Sequence, residues 1–223
     1  MMKLPAVFYA VLRTPFHAAL RAAILCLPAC AALSDGEEPA LYARAQGAYA
    51  EGQLAKVSAM LAGCGLPPAL VLRGKAEYFS GDLAGAERSF RRALKKRPGA
   101  PEAVLYLART LRERGAAAEA SELILSLLSD DPGNSRALRL ASELARERGP
   151  AGEAEALALL DRAAESAAED ALVFMDRARQ RWIAGRGEEA LEDLRRARIL
   201  LPWDTPMVRS IGVLESAIRE RMQ

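Results

Sequence analysis

The chain has 223 residues, of which 51% are hydrophobic, 27% charged and only 5% aromatic. Alanine and leucine dominate and β-branched runs are nearly absent, so the composition favours helices and gives strands little to build from. The net charge is +2, but Lys3, Arg13 and Arg21 precede Cys30, and the 28 basic and 29 acidic residues that follow give a near-neutral body, which argues against nucleic-acid binding.

Residues 1–29 are predicted to be an export signal, followed by a linker over residues 30–37. The segment has no acidic residue before Asp35, and Arg21 is followed by an apolar run of 12 residues, 22–33. Such a run is too short to span a bilayer but has the length of a signal-peptide core.

Two cleavage sites compete in this segment. Leu27-Pro28-Ala29-Cys30 resembles the bacterial lipobox, which implies that Cys30 is lipidated and becomes the first mature residue. The sequence Ala29-Cys30-Ala31 instead fits an ordinary small-x-small cleavage site. Export predicts a location on the periplasmic side of a bacterial cell envelope, with a membrane anchor if Cys30 carries lipid. The alternative is an amphipathic N-terminal helix in a cytoplasmic protein.

The chain contains a single histidine, His17, and it lies within the predicted signal. Catalysis with a histidine base and histidine-ligated metal sites are therefore excluded for the chain from Cys30 onward. The acidic residues are scattered, no cysteine pair is closely spaced, and no phosphate-binding glycine loop is present. We therefore expect no catalytic residue, no metal and no cofactor.

A repeat of 34 residues organises the rest of the chain. Pro98 and Pro132 are 34 residues apart, and Pro202 follows after 70 residues, which is two such periods plus two. Ahead of each proline a glycine, a small residue, a large apolar residue and a further apolar residue recur in register: Gly81, Ala86, Phe90 and Ala93; Gly115, Ala120, Ile124 and Leu127; Gly185, Ala190, Leu194 and Ala197. Small residues let paired helices approach closely, large residues fill the space between pairs, glycine permits a tight turn, and proline ends the second helix.

This pattern resembles the tetratricopeptide repeat family over residues 38–202. Two units are less regular: the first has Val57 and Cys64 where alanines are expected, and the fourth carries a two-residue insertion near Pro150. The resemblance implies an all-α fold, a right-handed α-solenoid within residues 38–223. Its antiparallel helix pairs are expected over 38–66, 67–100, 101–134, 135–170 and 171–204.

Residues 205–222 are predicted to form a C-terminal capping helix. Thr205 is a favourable N-cap, and Pro206 suits the first helical turn. An apolar stripe that would cover the last pair recurs at steps of three and four residues, at Val208, Ile211, Leu214 and Ile218.

The family resemblance implies that the first helix of each pair lines the concave surface and binds the partner. The residues predicted to face a partner there are Tyr42, Tyr49, Lys75, Tyr78, Phe79, Tyr106, Arg109, Arg112, Arg139, Arg146, Arg179 and Trp182. Aromatic and arginine side chains are common interface anchors, and arginine binds carboxylates bidentately. We therefore expect a polypeptide segment with apolar anchors and some acidic residues. The alternative is a solvated arginine face neutralised by nearby glutamates.

The family's chaperone-binding members use a two-carboxylate clamp, and its side chains are absent here. Tyr42, Gln46, Leu72 and Tyr106 lie near the clamp positions. On the last second helix, the acidic residues near Asp193 are predicted to form i to i+4 pairs with Arg195, Arg196 and Arg198 on a solvated face.

The sequence therefore predicts a non-catalytic protein-binding scaffold for the assembly of a cell-envelope complex. Two alternatives remain: a cytoplasmic, membrane-tethered adaptor, and the regulatory subunit of a separate enzyme.

Overall fold

The computed structural model describes residues 37–222, and these residues form eleven α-helices and no strand. The predicted signal and Cys30 lie outside this range. The helices are α1 (Glu37–Ala50), α2 (Leu54–Met60), α3 (Pro67–Phe79), α4 (Leu83–Lys96), α5 (Pro101–Glu113), α6 (Ala117–Asp130), α7 (Ser135–Arg146), α8 (Pro150–Ser166), α9 (Ala171–Ile183), α10 (Gly187–Leu200) and α11 (Pro206–Met222).

Successive helices pack as pairs, and the pairs stack in one row. The pairs are α1/α2, α3/α4, α5/α6, α7/α8 and α9/α10, and each second helix also contacts the first helix of the next pair. First helices touch the first helices of neighbouring pairs, whereas no comparable contact joins successive second helices between residues 37 and 222. The row is therefore tighter on the side of the first helices, which makes that side concave. The predicted all-α solenoid is confirmed.

Glycine ends the first helices. Gly81, Gly115 and Gly185 lie between helices with φ of +85°, +81° and +77°, a region that residues with a Cβ rarely adopt. In each turn the next residue's N–H bonds back into the helix that ends, as Ala116 N donates to Leu111 O at 2.8 Å. This is the Schellman arrangement, and it satisfies carbonyls that would otherwise lack partners.

The repeating large residues form the core between the pairs. Phe90, Ile124 and Leu194 are at most 1% exposed, and they belong to one apolar cluster that continues to Ile218 in α11. A smaller cluster joins α1, α2 and α3 and contains Cys64. Because no pair buries its apolar face alone, each pair depends on its neighbour.

The insertion near Pro150 lengthens the second helix of the fourth pair. Helix α8 starts directly after Gly149, which has φ of +70°, and runs for 17 residues. A Cβ on Gly152 would lie 1.8 Å from the carbonyl oxygen of Ala145 in α7. The two helix backbones are therefore in direct contact at this point.

The predicted solvated pairs on α10 are wrong. Asp193 has 3% of its side chain exposed and accepts from Arg177 at 2.7 Å and Arg181 at 2.9 Å, both on α9. Arg198 instead contacts Glu215 of α11 at 2.9 Å. Asp193 lies next to the buried Leu194, on the face that packs against α9, so its carboxylate requires partners from that helix.

Helix α11 covers the last pair. Thr205 Oγ1 accepts from Val208 N at 3.3 Å, which caps the helix, and Ile211 and Ile218 are fully buried. None of the helices between residues 37 and 222 combines the length and apolar character needed to cross a membrane.

Candidate partner-binding groove

The concave surface is formed by the first helices α1, α3, α5, α7 and α9, and we call it the groove. Every predicted partner-facing residue, from Tyr42 to Trp182, lies on one of these helices. Their side chains differ in what they contact, and these contacts divide the groove into two parts.

Three aromatic side chains from α3 and α5 form one cluster in the first part of the groove. The ring centroids of Tyr78, Phe79 and Tyr106 lie 5.2 to 6.2 Å apart with edge-to-face geometry. The buried Phe90 stacks against Tyr106 at 5.7 Å and anchors the cluster to the core. Phe79 remains 53% exposed, so the cluster offers solvent a supported apolar surface.

Two cations lie over this aromatic surface. Lys75 Nζ is 5.4 Å from the ring centroid of Tyr49 and 5.3 Å from that of Tyr106, and it bonds Glu102 at 3.0 Å. Burial alone would lower the pKa of Lys75, but Glu102 and the two tyrosines outweigh it and raise that pKa. The guanidinium of Arg109 lies 5.5 Å from the Tyr106 centroid. Cation–π contacts of this kind hold both cations against the rings.

Helix α1 extends the same surface. Tyr42 and Tyr49 pack against the smaller core cluster, and the Gln46 amide donates to the Tyr42 hydroxyl at 3.2 Å. With Lys75 of α3 and Glu102 of α5, they line a cavity of about 350 Å³. The groove residues of the first three pairs are therefore brought together.

Arginines in the second part of the groove are partly neutralised. Arg112 of α5 pairs with Glu143 of α7, and it lies 3.4 Å from Glu147. Arg139 of α7 bonds Asp176 of α9 at 2.7 Å. These ion pairs join successive first helices. Arg112 and Arg139 therefore follow the alternative stated above, in which acidic side chains neutralise the arginines.

The other predicted groove residues of α7 and α9 are Arg146, Arg179 and Trp182, and they differ in burial. Trp182 packs against the main core cluster. Arg146 and Arg179 are exposed and line one cavity of about 250 Å³ between α7 and α9. No carboxylate of residues 37–222 forms an ion pair with either of them.

Sequence reasoning missed the acidic partners and one buried amide. Glu102, Glu113 and Asp176 each bond a groove residue of the preceding pair, about one repeat earlier in the chain. Gln180 was also missed, although it follows the fully buried Val173 by seven residues and so shares its helix face. A polar residue at a helix position that the apolar spacing predicts to be buried was the signal that could have identified Gln180.

Tyr78 is the most perturbed tyrosine of the groove. Its hydroxyl donates to the Glu113 carboxylate. Burial, followed by this bond, raises the pKa of Tyr78 to about 12, because both disfavour the phenolate.

We expect spectrophotometric titration at 295 nm to show a tyrosine with a pKa near 12, and Tyr78→Phe to remove it. Glu113→Gln should lower this pKa while leaving it above 10.0, since burial persists. At a pH between the pKa of Tyr78 in the unfolded chain and its pKa of about 12 in the folded chain, the unfolded state has lost the phenol proton and the folded state has kept it. The contribution of Tyr78 to the free energy of unfolding is therefore lost as the pH rises through this range. An unchanged titration curve in Tyr78→Phe would contradict this assignment.

Comparisons with known proteins agree with this architecture. Residues 80–144 match the family model described as tetratricopeptide repeat. TTC0263, a thermophilic TPR protein of Thermus thermophilus, is 27% identical with a TM-score of 0.59, over 70% of this chain and 82% of that one. MamA (41-end) from Desulfovibrio magneticus RS-1 is 17% identical with a TM-score of 0.58, over 73% and 94% of the two chains.

A further solved structure is named for its ligand site. YrrB, described as a TPR protein with an unusual peptide-binding site, is 15% identical with a TM-score of 0.54, over 81% of this chain and 90% of that one. No curated protein matches the chain. The described helices therefore form a solenoid of the tetratricopeptide-repeat type, and residues 80–144 match the model of that family.

Proposed function

We propose that this protein is a non-catalytic scaffold that holds a polypeptide segment in the groove. The observation that carries the proposal is the aromatic cluster of Tyr78, Phe79 and Tyr106 on the concave side. Phe79 is exposed there, and Lys75 and Arg109 lie over the ring of Tyr106. The peptide-binding site for which YrrB is named supports a ligand of this class.

The cluster has the properties of an interface anchor. Interface anchors are typically aromatic or arginine side chains that are held in place before the partner arrives. Phe90 supports the rings from below, and the contacts among the rings limit their movement. An apolar side chain of the partner that covers Phe79 would remove its 53% exposed surface from water.

The shape of the groove favours an elongated partner. Contact surfaces recur on successive first helices, from the cavity beside Tyr42 to the one beside Arg179. One extended or helical segment can contact several of these surfaces in turn, whereas a small molecule would fill only one. Absence of catalysis is part of the proposal because no histidine follows Cys30.

Selection of a displayed library of random peptides against the full chain tests the groove. We expect the selected peptides to bind Phe79→Ala/Arg109→Glu at least about 30-fold more weakly, because two anchors are lost and one charge is reversed. Binding is measured by fluorescence anisotropy with the synthesised peptides.

The matched control is Leu125→Ala/Arg92→Glu. Leu125 is 65% exposed on α6 and Arg92 is exposed on α4, so an apolar truncation and the same charge reversal fall on second helices. Equal affinities for the wild type and the groove variant would refute the groove as the binding surface. Co-purification with an active enzyme would instead favour the regulatory-subunit alternative.

The proposed site of action is the cell envelope, with a lipid anchor at Cys30. The basic, acid-free segment and its apolar run support this location, and Leu27-Pro28-Ala29-Cys30 supports the anchor. A scaffold held there would assist the assembly of an envelope complex.

Metabolic labelling with a clickable palmitate analogue in a bacterial host tests the anchor. We expect label on the wild type and none on Cys30→Ser, because the thiol that receives the lipid is gone. Cys26→Ser is the matched control, and it should keep the label. Label that persists in Cys30→Ser, or is absent from the wild type, would contradict the anchor and leave ordinary cleavage at Ala29-Cys30-Ala31 or the cytoplasmic location as the alternatives.

A further inference from the structure

The cavity between α7 and α9 contains two arginines without ion-pair partners. Arg146 and Arg179 line the cavity, are exposed, and pair with no carboxylate in the part of the chain that the structure describes. The other arginines of this part of the groove, Arg112 and Arg139, are each paired. Two cations near one small cavity repel each other unless an anion lies between them.

The carboxylates of the same cavity do not supply that anion. Glu143 and Asp176 line the cavity, but Glu143 pairs with Arg112 and Asp176 with Arg139, both of which lie outside the lining. The lining therefore contains equal numbers of acidic and basic side chains, but both carboxylates are already paired, whereas neither arginine has an ion-pair partner among residues 37–222.

A buried amide adds an independent observation. Gln180 is only 4% exposed and lines the cavity, and its Nε2 has no hydrogen-bond partner within residues 37–222. Buried polar side chains nearly always have partners, and an unpaired one requires an explanation. An acceptor placed in the cavity would provide the missing partner.

The size of the cavity indicates what could bind. Its volume is about 250 Å³, below the roughly 300–1,000 Å³ of small-molecule pockets. The side chain of Leu160, 3% exposed, supplies an apolar wall. A single acidic side chain fits this combination, since its methylene groups contact leucine while its two oxygens meet the donors.

We propose that Arg146, Arg179 and Gln180 form a site for one carboxylate of the bound polypeptide. Arginine presents parallel N–H donors that match the two oxygens of a carboxylate. The Gln180 Nε2 forms no hydrogen bond to the described residues, so donating to a bound carboxylate would break no existing bond. This assignment rests on the proposed function, and it gives the partner an acidic residue beyond the segment that contacts the aromatic cluster.

The test titrates the ¹⁵N-labelled full chain with the tetrapeptide Ac-Gly-Glu-Glu-Gly-NH₂ and with its isostere Ac-Gly-Gln-Gln-Gly-NH₂. The readouts are the side-chain N–H signals of Arg146, Arg179 and Gln180, assigned from single variants. We expect saturable shifts with the acidic peptide and none with the isostere. Equal shifts with both peptides, or shifts with inorganic phosphate alone, overturn the carboxylate site.

Variants separate this site from a general charge effect. Arg146→Gln/Arg179→Gln should weaken the acidic peptide at least about tenfold, and Gln180→Leu about two- to tenfold, because a charge-assisted bond contributes more than a neutral one. The matched control Arg92→Gln/Arg195→Gln removes two exposed charges from second helices and should retain the wild-type affinity. Loss of affinity in the control equal to that in the Arg146/Arg179 variant overturns the proposal.

A second comparison distinguishes failure of this site from failure of the proposed function. Phe79→Ala/Arg109→Glu should bind the acidic tetrapeptide normally, since the aromatic cluster lies on other helices. If library peptides require Phe79 and Arg109 but the tetrapeptide causes no shift, the carboxylate site is wrong and the groove proposal stands. If the tetrapeptide binds through Arg146 and Arg179 and no library peptide needs Phe79, the site stands and the groove proposal fails.

Discussion

Close approach of the two helices within a pair is the constraint on which the rest of the solenoid depends. A Cβ at Gly152 would meet the Ala145 carbonyl at 1.8 Å, and one at Gly74 would meet the Phe90 ring at 2.6 Å. Ala86 is likewise fully buried. Helices packed this closely form pairs whose apolar faces remain uncovered until another pair stacks on them. The stacking leaves the first helices on the inside of a curved row, and the groove is the result.

The same row explains why the two parts of the groove differ chemically. Side chains one repeat apart reach each other across successive first helices, so an aromatic pair such as Tyr78 and Tyr106 becomes a cluster. Charges behave likewise, and Arg139 is neutralised by Asp176. Phe79 stays exposed at the edge of the aromatic cluster, and Arg179 stays exposed because no described carboxylate pairs with it. An apolar and an acidic contact would thus be separated along one bound segment.

The sequence predicts the fold well because the repeat is a local pattern. Gly81 and Gly115 mark helix ends through their backbone conformation, and Phe90 and Ile124 mark the core through their register. The neutralisation of Arg112 depends instead on how far one pair rotates relative to the next, which local pattern does not encode. Asp193 shows the same limit: its neighbours suggested i to i+4 pairs, whereas its burial against α9 selected two arginines from that helix. The sequence therefore predicted which residues lie on the first helices, but it did not predict which charged side chains form ion pairs with each other.

The free energy of unfolding of Gly152→Ala, measured by urea denaturation, tests the central claim most directly. Because the added methyl group meets backbone rather than a flexible side chain, we expect a loss of about 1–3 kcal/mol or more. Gly212→Ala, in α11, is the matched comparison: its nearest neighbour lies 4.0 Å away, so it should gain about 0.4–1 kcal/mol. If Gly152→Ala were as stable as the wild type, α7 and α8 would not be in backbone contact, and the account of how the pairs stack would be wrong.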